Sequence, residues 1–560
     1  MMSKKDSKLI LEEYENKFLY EKSKTNLNIE FNRIAFIFFI LLIISIIFSI
    51  QLLHLGSLKK DNEVKPLIIK KDYRANIIDR NGSYLVKSVS SIDIGISPKE
   101  VIDKKRLLIN LKWIFPNKNY KEIKKKLNKN KFFKFEKNIS QTNYEKIMSL
   151  GDKAIRPEEK LTRLYPHKNL FSHLIGQIDD DNNGISGIEK SFDKELKTTK
   201  DPIKLTVDAD IQFLIRKELL KFQKIFRAKG SAAILMNVNN GSIISMVSLP
   251  DFNLNERKAI TNVDYINRAT KGVYEFGSVF KTFTVAAGFN ENLIEPNTQY
   301  LNLKKQIDCN RFKIREYSDK TPTDLTVEEI LVRSGNIGSV RIGQKIGKDK
   351  FKSFLEKIGV IGTIDFDIQE VGKPIPINWG KCKLATVSYG HGITTTLLQI
   401  AKGYSIVTNG GYDIQPTVIE KNLIKKYSQK RILNEGVSDK INKILRKVVT
   451  SKEGTAELAN VEGYEVGGKT GTAQISKNGK YTRDKINTFA AIFPSQKPRY
   501  ILVVMLDEPK TNSEYIYYYR DDTQPTKGTP FNTAGWTSVE VVAKIIEKIG
   551  PILATKYIEN

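Results

Sequence analysis

The amino-acid sequence predicts an α+β protein with one membrane-spanning helix near its N-terminus. Three observations support this: an uncharged apolar run over residues 34–53, a pair of branched apolar runs over 231–238 and 241–248, and three further such runs close to the C-terminus. A long helical segment separates the early pair from the late three, which indicates one antiparallel sheet of about five strands with helices on its faces. Because 560 residues exceed what one core holds, we expect at least two domains.

The first apolar run has the length of a membrane span. Residues 34–53 carry no charged side chain, and about 20 residues at 1.5 Å per residue match a hydrocarbon core of roughly 30 Å. The run is longer than the apolar region of a cleaved signal peptide, and no clear small-residue cleavage site follows it. We therefore predict an uncleaved signal anchor that crosses the membrane once, with residues 1–33 as a cytoplasmic tail.

The composition excludes several classes of function. The net charge of +28 would suit a nucleic-acid partner, but the lysines are spread along the chain without a nucleic-acid-binding motif. We interpret the charge as a solvated surface and expect no nucleic acid. The four histidines lack the spacing of metal ligands, so we expect neither a metal nor a cofactor. Cys309 and Cys382 either form a disulfide, which an oxidising compartment permits, or remain two buried thiols.

A first domain without an evident catalytic set is predicted over residues 54–203. Residues 74–82, RANIIDRNG, read as a short strand that ends in an Asn-Gly turn, and an alternating second strand follows. Lysine-rich helical patterns continue to about residue 150. Glycine-punctuated segments between residues 163 and 189 then indicate loops and turns.

The second domain is predicted over residues 204–560. Asp208 can cap its first helix, and Thr326 with Glu329 has the capping-box pattern before a later one. An Asn-Asn pair at 239–240 is a hairpin signal between the two early strands. The remaining expected elements are three late strands and a closing helix, over residues 468–475, 487–493, 500–506 and 534–549.

One lysine lies where an apolar helix would exclude it. Nearly every position from 279 to 289 is apolar or small, as in a helix packed on all sides, yet Lys281 lies among them. Burying an ammonium without a partner costs several kcal/mol. Ser278 lies three residues earlier, on the same helix face. Because desolvation and the helix macrodipole lower the pKa of a lysine, the neutral amine of Lys281 can take the serine proton and make Ser278 a nucleophile.

Two later elements complete a set with this pair. They are Ser334-Gly335-Asn336, just after the capped helix, and Lys469-Thr470-Gly471-Thr472 on the first late strand. The order Ser-x-x-Lys, Ser-x-Asn and Lys-Thr-Gly resembles the active site of penicillin-binding proteins and serine β-lactamases.

The resemblance extends along most of the chain after the apolar run. Residues 74–82 resemble the Arg-Gly-x-Ile-x-Asp-Arg-Asn-Gly signature of class B penicillin-binding proteins, with Ala75 in place of glycine. RLYPHKNLFSHLIGQID and GISGIEKSFD resemble the pedestal domain of that class, and NRATKGVYEFGSVFK and SYGHGITTTLLQIAKGYS resemble its transpeptidase domain. Leu397 replaces a usual proline, and Gly335 replaces a frequent serine. Within the class, these motif sequences are most similar to those of the cell-division (septal) enzymes.

The resemblance implies a D,D-transpeptidase that cross-links peptidoglycan stem peptides through a serine acyl-enzyme. Its fold would be a serine β-lactamase-like domain with a five-stranded antiparallel sheet, carried on an elongated, dimerisation-type pedestal. Ser278 would attack the penultimate D-Ala carbonyl, Lys281 would activate it, and Ser334 would relay protons. Asn336 would hydrogen-bond the substrate amide and hold Lys281.

The Lys-Thr-Gly strand is implied to bind the substrate. The backbone N–H groups of Ser278 and Thr472 would form the oxyanion hole, and Lys469 with the hydroxyls of Thr470 and Thr472 would bind the terminal carboxylate. Gly471 belongs to the same strand, which would pair with the extended peptide.

The resemblance also implies partners and a location. β-Lactams would act as inhibitors, and a polytopic septal glycosyltransferase and other divisome membrane proteins would be partners. The protein would cross the bacterial inner membrane once, with its catalytic domain in the periplasm.

Four other functions share parts of this pattern. An elongation-type class B protein remains the alternative, since only the resemblance of the motif sequences separates it from the septal type. A β-lactamase is disfavoured because no Glu-x-x-Leu-Asn follows Ser334. A β-lactam sensor of this family usually has several membrane spans, whereas one span is predicted here. A silent divisome scaffold would be expected to lose Ser278 or Lys281, whereas both residues are present.

Overall fold

The computed structural model describes residues 27–57 and 73–556, apart from gaps at 257–261, 263–264, 310–311, 381, 426–429, 478 and 519–524. The chain divides into two compact units, residues 1–70 and 71–560. The described part of the first unit is one helix, α1 (Leu27–Ser57), which contains an apolar stretch at Ala35–Leu53 long enough to cross a membrane, with none of it buried. The predicted apolar helix is therefore confirmed, whereas most of the predicted cytoplasmic tail lies outside the described residues.

The second unit begins with a small mixed sheet and three amphipathic helices. Its first elements are β1 (Ile77–Ile78), β2 (Tyr84–Ile96), α2 (Lys104–Ile114), α3 (Tyr120–Asn128), β3 (Phe133–Glu136), α4 (Gln141–Met148), β4 (Ile155–Leu164), α5 (Ser172–Ile175), α6 (Gly187–Ser191), α7 (Asp193–Thr198) and β5 (Ile203–Lys204). The strands lie in the order β3-β2-β1-β5, and β4 pairs with β2. The predicted lysine-rich helices are present. The segment predicted as loops also contains the end of β4, the helix α5 and the start of α6, and these helices are too short to show a helical period.

A buried cluster of charges fixes the base of this region. Arg74 and Glu189 are fully buried and lie 2.8 Å apart, and Arg74 also lies 2.6 Å from Asp193. The Nε of Arg163 donates to the other oxygen of Glu189 at 2.8 Å. Removing one partner of such a buried pair typically costs about 3–5 kcal/mol, because the remaining charge loses its compensation. The cluster therefore ties the start of the first strand to the helices that follow β4.

The rest of the second unit is built around the main sheet. Its larger helices and strands are α8 (Ala209–Ile225), β6 (Gly230–Asn237), β7 (Ile243–Leu249), α9 (Lys281–Asn290), β8 (Gln299–Tyr300), β9 (Gln306–Cys309), β10 (Phe312–Arg315), β11 (Leu325–Thr326), α10 (Val327–Val332), α11 (Asn336–Ile346), α12 (Lys348–Lys357), α13 (Lys383–Ser388), α14 (Leu397–Thr408), α15 (Glu420–Lys425), α16 (Val437–Thr450), β12 (Gly467–Lys477), β13 (Lys480–Phe493), β14 (Tyr500–Asp507), β15 (Ile516–Tyr517), β16 (Thr526–Lys527) and α17 (Ser538–Lys556).

The main sheet confirms the predicted five-stranded antiparallel sheet. Its strands lie in the order β12-β13-β14-β6-β7, so the two early strands join the three late ones through the β14–β6 pair. α8 and α17 pack on each other and on the sheet, and α14 and α16 form a second such pair. Every residue of β14 is buried, as expected of a strand covered on both faces. β12 forms an edge of the sheet and leaves one side of its backbone open to a further strand.

Local signals in the sequence set several element boundaries. The side chain of Asp208 accepts from the backbone of Asp210 and Ile211 at the start of α8, and Thr326 forms the predicted capping box with Glu329. The closing helix differs from its predicted range, because residues 534–536 form a separate 3₁₀ turn and α17 continues through Pro551 to Lys556.

One hydrophobic core extends through most of the second unit. Ala75 and Ile77, near the start of that unit, belong to the same buried cluster as the strands of the main sheet. A smaller cluster, which includes Ile94 and Leu107, lies among α2, α3 and α4. The domain boundary between residues 203 and 204 stays a prediction.

Candidate active site

A cavity of about 650 Å³ lies beside the edge strand β12. The structure brings together most of the residues that the sequence singled out, and those that line this cavity are Ser278, Ser334, Asn336, Thr470 and Thr472. Lys281 and Lys469 are fully buried behind its wall. Candidate residues from positions 278 to 472 of the chain thus converge on one cleft.

Two glycines let the turn that carries Ser278 approach β12. Gly277 has φ +59° and opens a 3₁₀ turn (Gly277–Phe280) that leads into α9. A Cβ on Gly277 would lie 2.8 Å from the carbonyl oxygen of Thr472, and a Cβ on Gly471 would lie 2.1 Å from that of Phe276. Any larger residue would push the turn away, so these glycines position Ser278 next to Thr472.

Lys281 is held by three acceptors. Its Nζ donates to the carbonyl oxygen of Ser334 at 2.5 Å, to Ser334 Oγ at 3.1 Å and to Asn336 Oδ1 at 2.7 Å. Burial lowers the pKa of Lys281 to about 7, and the carboxylate of Glu316 offsets part of that effect. The amine is thus poised between its charged and neutral forms near neutral pH. Among the hydrogen bonds of the described residues, none joins this Nζ to Ser278.

Ser334 connects the two buried lysines. It has φ +61° in the short link between α10 and α11, a conformation that costs a non-glycine residue about 1–3 kcal/mol unless its surroundings impose it. Its Oγ accepts from Lys281 Nζ and, at 3.0 Å, from Lys469 Nζ. Burial and the nearby Lys281 both hold the pKa of Lys469 well below its usual value. The hydroxyl therefore contacts two amines whose pKa values are both lowered.

A hairpin that the sequence did not single out supports Asn336. The N–H groups of Asn336 and Ile337 donate to the carboxylate of Glu316 at 2.8 Å each, and Asn336 Nδ2 donates to the carbonyl oxygen of Arg315 at 2.8 Å. Glu316 directly follows β10 and acts as the cap of α11. A signal existed, because the N-cap residue of α11 is Gly335, which has no side chain to cap the helix.

The two cysteines fix this hairpin. Cys309 at the end of β9 forms a disulfide with Cys382 at the start of α13, with 5.6 Å between their Cα atoms. Of the two alternatives left open by the sequence, the structure has the disulfide. It joins the wall that carries Glu316 to the wall that leads to Tyr389.

The hydroxyls of the Lys-Thr-Gly strand have partners on the cavity wall. Thr470 Oγ1 lies 2.7 Å from Thr455 Oγ1, and Thr472 Oγ1 accepts from the backbone N–H of Ala534 at 2.9 Å. Aromatic side chains that sequence reasoning missed also line the cavity, namely Tyr317, Tyr389, His391, Phe531 and Trp536. No group of three or more His, Cys, Asp or Glu side chains in the described part of the chain could hold a metal ion.

Two protein families match the chain. The family described as Penicillin binding protein transpeptidase domain matches residues 231–522, which contain all the candidate site residues. The family described as Penicillin-binding Protein dimerisation domain matches residues 70–220.

Individual relatives agree with these matches. The chain is 28% identical to "Probable peptidoglycan D,D-transpeptidase FtsI" of Caulobacter vibrioides, over 86% of this chain and 82% of that protein. It is 29% identical to "Stage V sporulation protein D" of Bacillus subtilis, over 82% and 78%, and 24% identical to "Peptidoglycan D,D-transpeptidase FtsI" of Escherichia coli K12, over 83% and 84%.

A solved structure shares the fold. The crystal structure of a peptidoglycan synthetase from Bifidobacterium adolescentis matches with a TM-score of 0.65 and 19% identity, over 87% of this chain and 96% of that one.

Proposed function

The chain belongs to the penicillin-binding protein transpeptidase family, and on that premise we propose that it is a peptidoglycan D,D-transpeptidase of septal cell-wall synthesis. The observation that carries the proposal is the arrangement of Lys281, Ser334 and Lys469 around one hydroxyl, next to the turn of Ser278. Relatives named peptidoglycan D,D-transpeptidase FtsI support the septal role over the elongation-type alternative.

The proposed reaction begins with Ser278. The neutral amine of Lys281 takes the proton of Ser278 Oγ, which attacks the carbonyl carbon of the penultimate D-Ala of a stem peptide. The backbone N–H groups of Ser278 and Thr472 stabilise the resulting oxyanion, and such donors are typically worth about 3–4 kcal/mol each. Ser334 Oγ, which accepts from both lysines, relays a proton to the leaving amine. The C–N bond then breaks and the terminal D-Ala departs. The rest of the stem peptide remains on Ser278 as an ester.

The second half of the reaction uses the same groups in reverse. An amine from a neighbouring stem peptide attacks the ester, a new C–N bond forms, and Ser278 Oγ recovers a proton through Lys281. Asn336 binds the substrate amide and keeps Lys281 in place, which its 2.7 Å contact with Nζ supports. Lys469, Thr470 and Thr472 bind the terminal carboxylate, and β12 with Gly471 offers its open edge to the extended peptide. β-Lactams would acylate Ser278 by the same route.

The proposal is tested with purified full-length protein in detergent. With a pentapeptide stem ending in D-Ala-D-Ala and an acceptor amine, we expect release of one D-Ala for each acyl-enzyme formed and a cross-linked product detected by mass spectrometry. With a penicillin, the acyl-enzyme should persist. Rapid turnover of the penicillin would contradict the proposal and favour a β-lactamase.

The membrane segment and the first domain are assigned by the same proposal. Residues 34–53 anchor a single-pass protein in the bacterial inner membrane, residues 54–203 form a non-catalytic pedestal, and residues 204–560 form a periplasmic transpeptidase domain. The partners proposed are a polytopic septal glycosyltransferase and other divisome membrane proteins, which contact the pedestal and the span. Exposed side chains along Ala35–Leu53 support a span that is free to pack against other helices.

Exchanging residues 34–53 for an unrelated apolar helix of equal length is expected to separate anchoring from recruitment. Labelling by penicillin should stay within about twofold of wild type, because that chemistry lies in the transpeptidase domain. Recruitment to the division site should fall, because packing between membrane helices depends on side-chain shape. Midcell fluorescence of a tagged protein measures this. A swapped protein that supports division like the wild type would reduce the span to a tether.

A further inference from the structure

A carboxylate surrounded by aromatic rings lies at one corner beside the catalytic cavity, where Tyr389 and His391 line the wall. Glu275 lies three residues before the nucleophile, and its side chain is 14% exposed. The hydroxyl of Tyr481 donates to its Oε1 at 3.0 Å, and the N–H of Gly392 donates to its Oε2 at 2.9 Å. The ring of His391 lies between the rings of Tyr481, at 4.6 Å, and Tyr389, at 5.9 Å between centroids. These bonds fix the position of the carboxylate.

Among the described residues, no lysine or arginine forms an ion pair with this carboxylate. His391 is the basic side chain within 4.0 Å of it, with Nδ1 3.9 Å from Oε2. Burial lowers the pKa of His391, and Lys383 lowers it further, while Glu275 opposes both effects. The imidazole therefore tends to be neutral. A half-buried anion flanked by a neutral imidazole and phenol rings is an environment that attracts a cation from outside, through both charge and ring faces.

The corner lies along the path of the bound donor peptide. In the proposed complex the terminal carboxylate binds at Lys469 and Thr470, so the preceding residues of the stem run along β12 toward Gln474, which also lines the cavity. Tyr481 pairs with Ser476, two residues beyond Gln474. Gly390, next to His391, abuts the nucleophile's turn, since a Cβ on it would lie 1.9 Å from the carbonyl oxygen of Gly277. The stem residue before the acylating D-Ala therefore passes beside this corner.

We propose that Glu275, with His391 and Tyr481 around it, binds a primary ammonium at the end of the donor side chain that precedes the acylating D-Ala. The inference rests on the proposed function, because it assigns a further part of the same substrate. The carboxylate neutralises the ammonium, and the phenol of Tyr481 fixes the carboxylate. The neutral imidazole of His391 does not compete with the incoming cation for the carboxylate. Glu275 is thus a specificity-determining residue for the charge at the end of that side chain.

The test compares two synthetic stem peptides that end in Lys-D-Ala-D-Ala, one with a free lysine amine and one with that amine acetylated. The ratio of their kcat/KM values for D-Ala release cancels defects in the shared chemistry. We expect full-length wild type to favour the free amine at least about tenfold, the scale of a charge-assisted contact. Glu275→Gln keeps an acceptor for the Gly392 N–H and gains an amide NH2 that can donate to the Tyr481 hydroxyl, and it should reduce the preference to below about twofold.

Two further variants sharpen the comparison. His391→Arg places a permanent cation beside the intact Glu275 carboxylate and should also abolish the preference. Glu457→Gln neutralises a carboxylate that lines the cavity, on the segment that carries Thr455, and should keep the preference. A wild type without preference, or a Glu275→Gln variant that retains it, would overturn the proposal.

The ammonium of the acceptor strand is the other source of the same chemistry. It is tested by the ratio of transfer to hydrolysis from one acyl-enzyme in the presence of an added amine. If Glu275→Gln changed that ratio and left the donor preference intact, the donor assignment would be wrong. A wild-type protein that released D-Ala from neither peptide would contradict the proposed function itself and this inference with it, which separates the two failures.

Discussion

Ser278→Ala is expected to abolish covalent labelling by a fluorescent penicillin. The acyl bond needs the Oγ that this variant lacks, and neither Lys281 nor Ser334 is placed to replace it, because both are engaged with each other at 3.1 Å. Loss of one hydroxyl in a turn set by Gly277 should leave the fold intact. Gel fluorescence after a fixed labelling time, at matched melting temperature, measures the effect.

The chain offers a matched control for this variant. Ser191 is followed three residues later by Lys194, so it has the same Ser-x-x-Lys spacing. It lies in the short helix α6, its Oγ accepts from the backbone N–H of Gln369, and it is not among the described residues that line the cavity. Ser191→Ala should label like the wild type. Labelling that persists in Ser278→Ala would refute the assignment of the nucleophile.

Lys281→Arg is expected to slow acylation by at least about 100-fold, the scale of lost general-base catalysis. A guanidinium stays protonated in proteins, so it cannot take the Ser278 proton. In the wild type the base is active only when deprotonated. Because the pKa of Lys281 is about 7, the acylation rate should rise with pH through that value and level off above it.

The pH profile separates loss of the base from structural damage. Stopped-flow acylation by a chromogenic β-lactam between pH 5.5 and 9 should give a sigmoidal profile for the wild type and a flat, low one for Lys281→Arg. Lys352→Arg, a change at an exposed position of α12, should behave like the wild type. Near-normal acylation in Lys281→Arg would mean that another group activates Ser278.

The sequence by itself determined most of the fold and named the candidate catalytic residues. Branched apolar runs predicted the five strands, because a strand covered on both faces must be apolar throughout, as β14 is. Asp208 and Thr326 marked helix starts, because the orphan N–H groups of a first turn need a nearby acceptor. Lys281 stood out because a charge within an apolar helix needs a reason. These signals are local, and each involves residues within a few positions of one another.

The tertiary structure alone decided how the site is assembled. Lys281 and Ser334 are 53 positions apart, and Ser334 and Lys469 are 135 apart, yet one hydroxyl contacts both amines. The Glu316 cap, the Cys309–Cys382 disulfide and the carboxylate corner at Glu275 likewise join distant segments. No local period encodes such contacts, because they depend on how the helices pack on the sheet and on close approaches such as that of Gly277 to β12. The sequence therefore named the chemical groups, and packing set their distances, burial and pKa values.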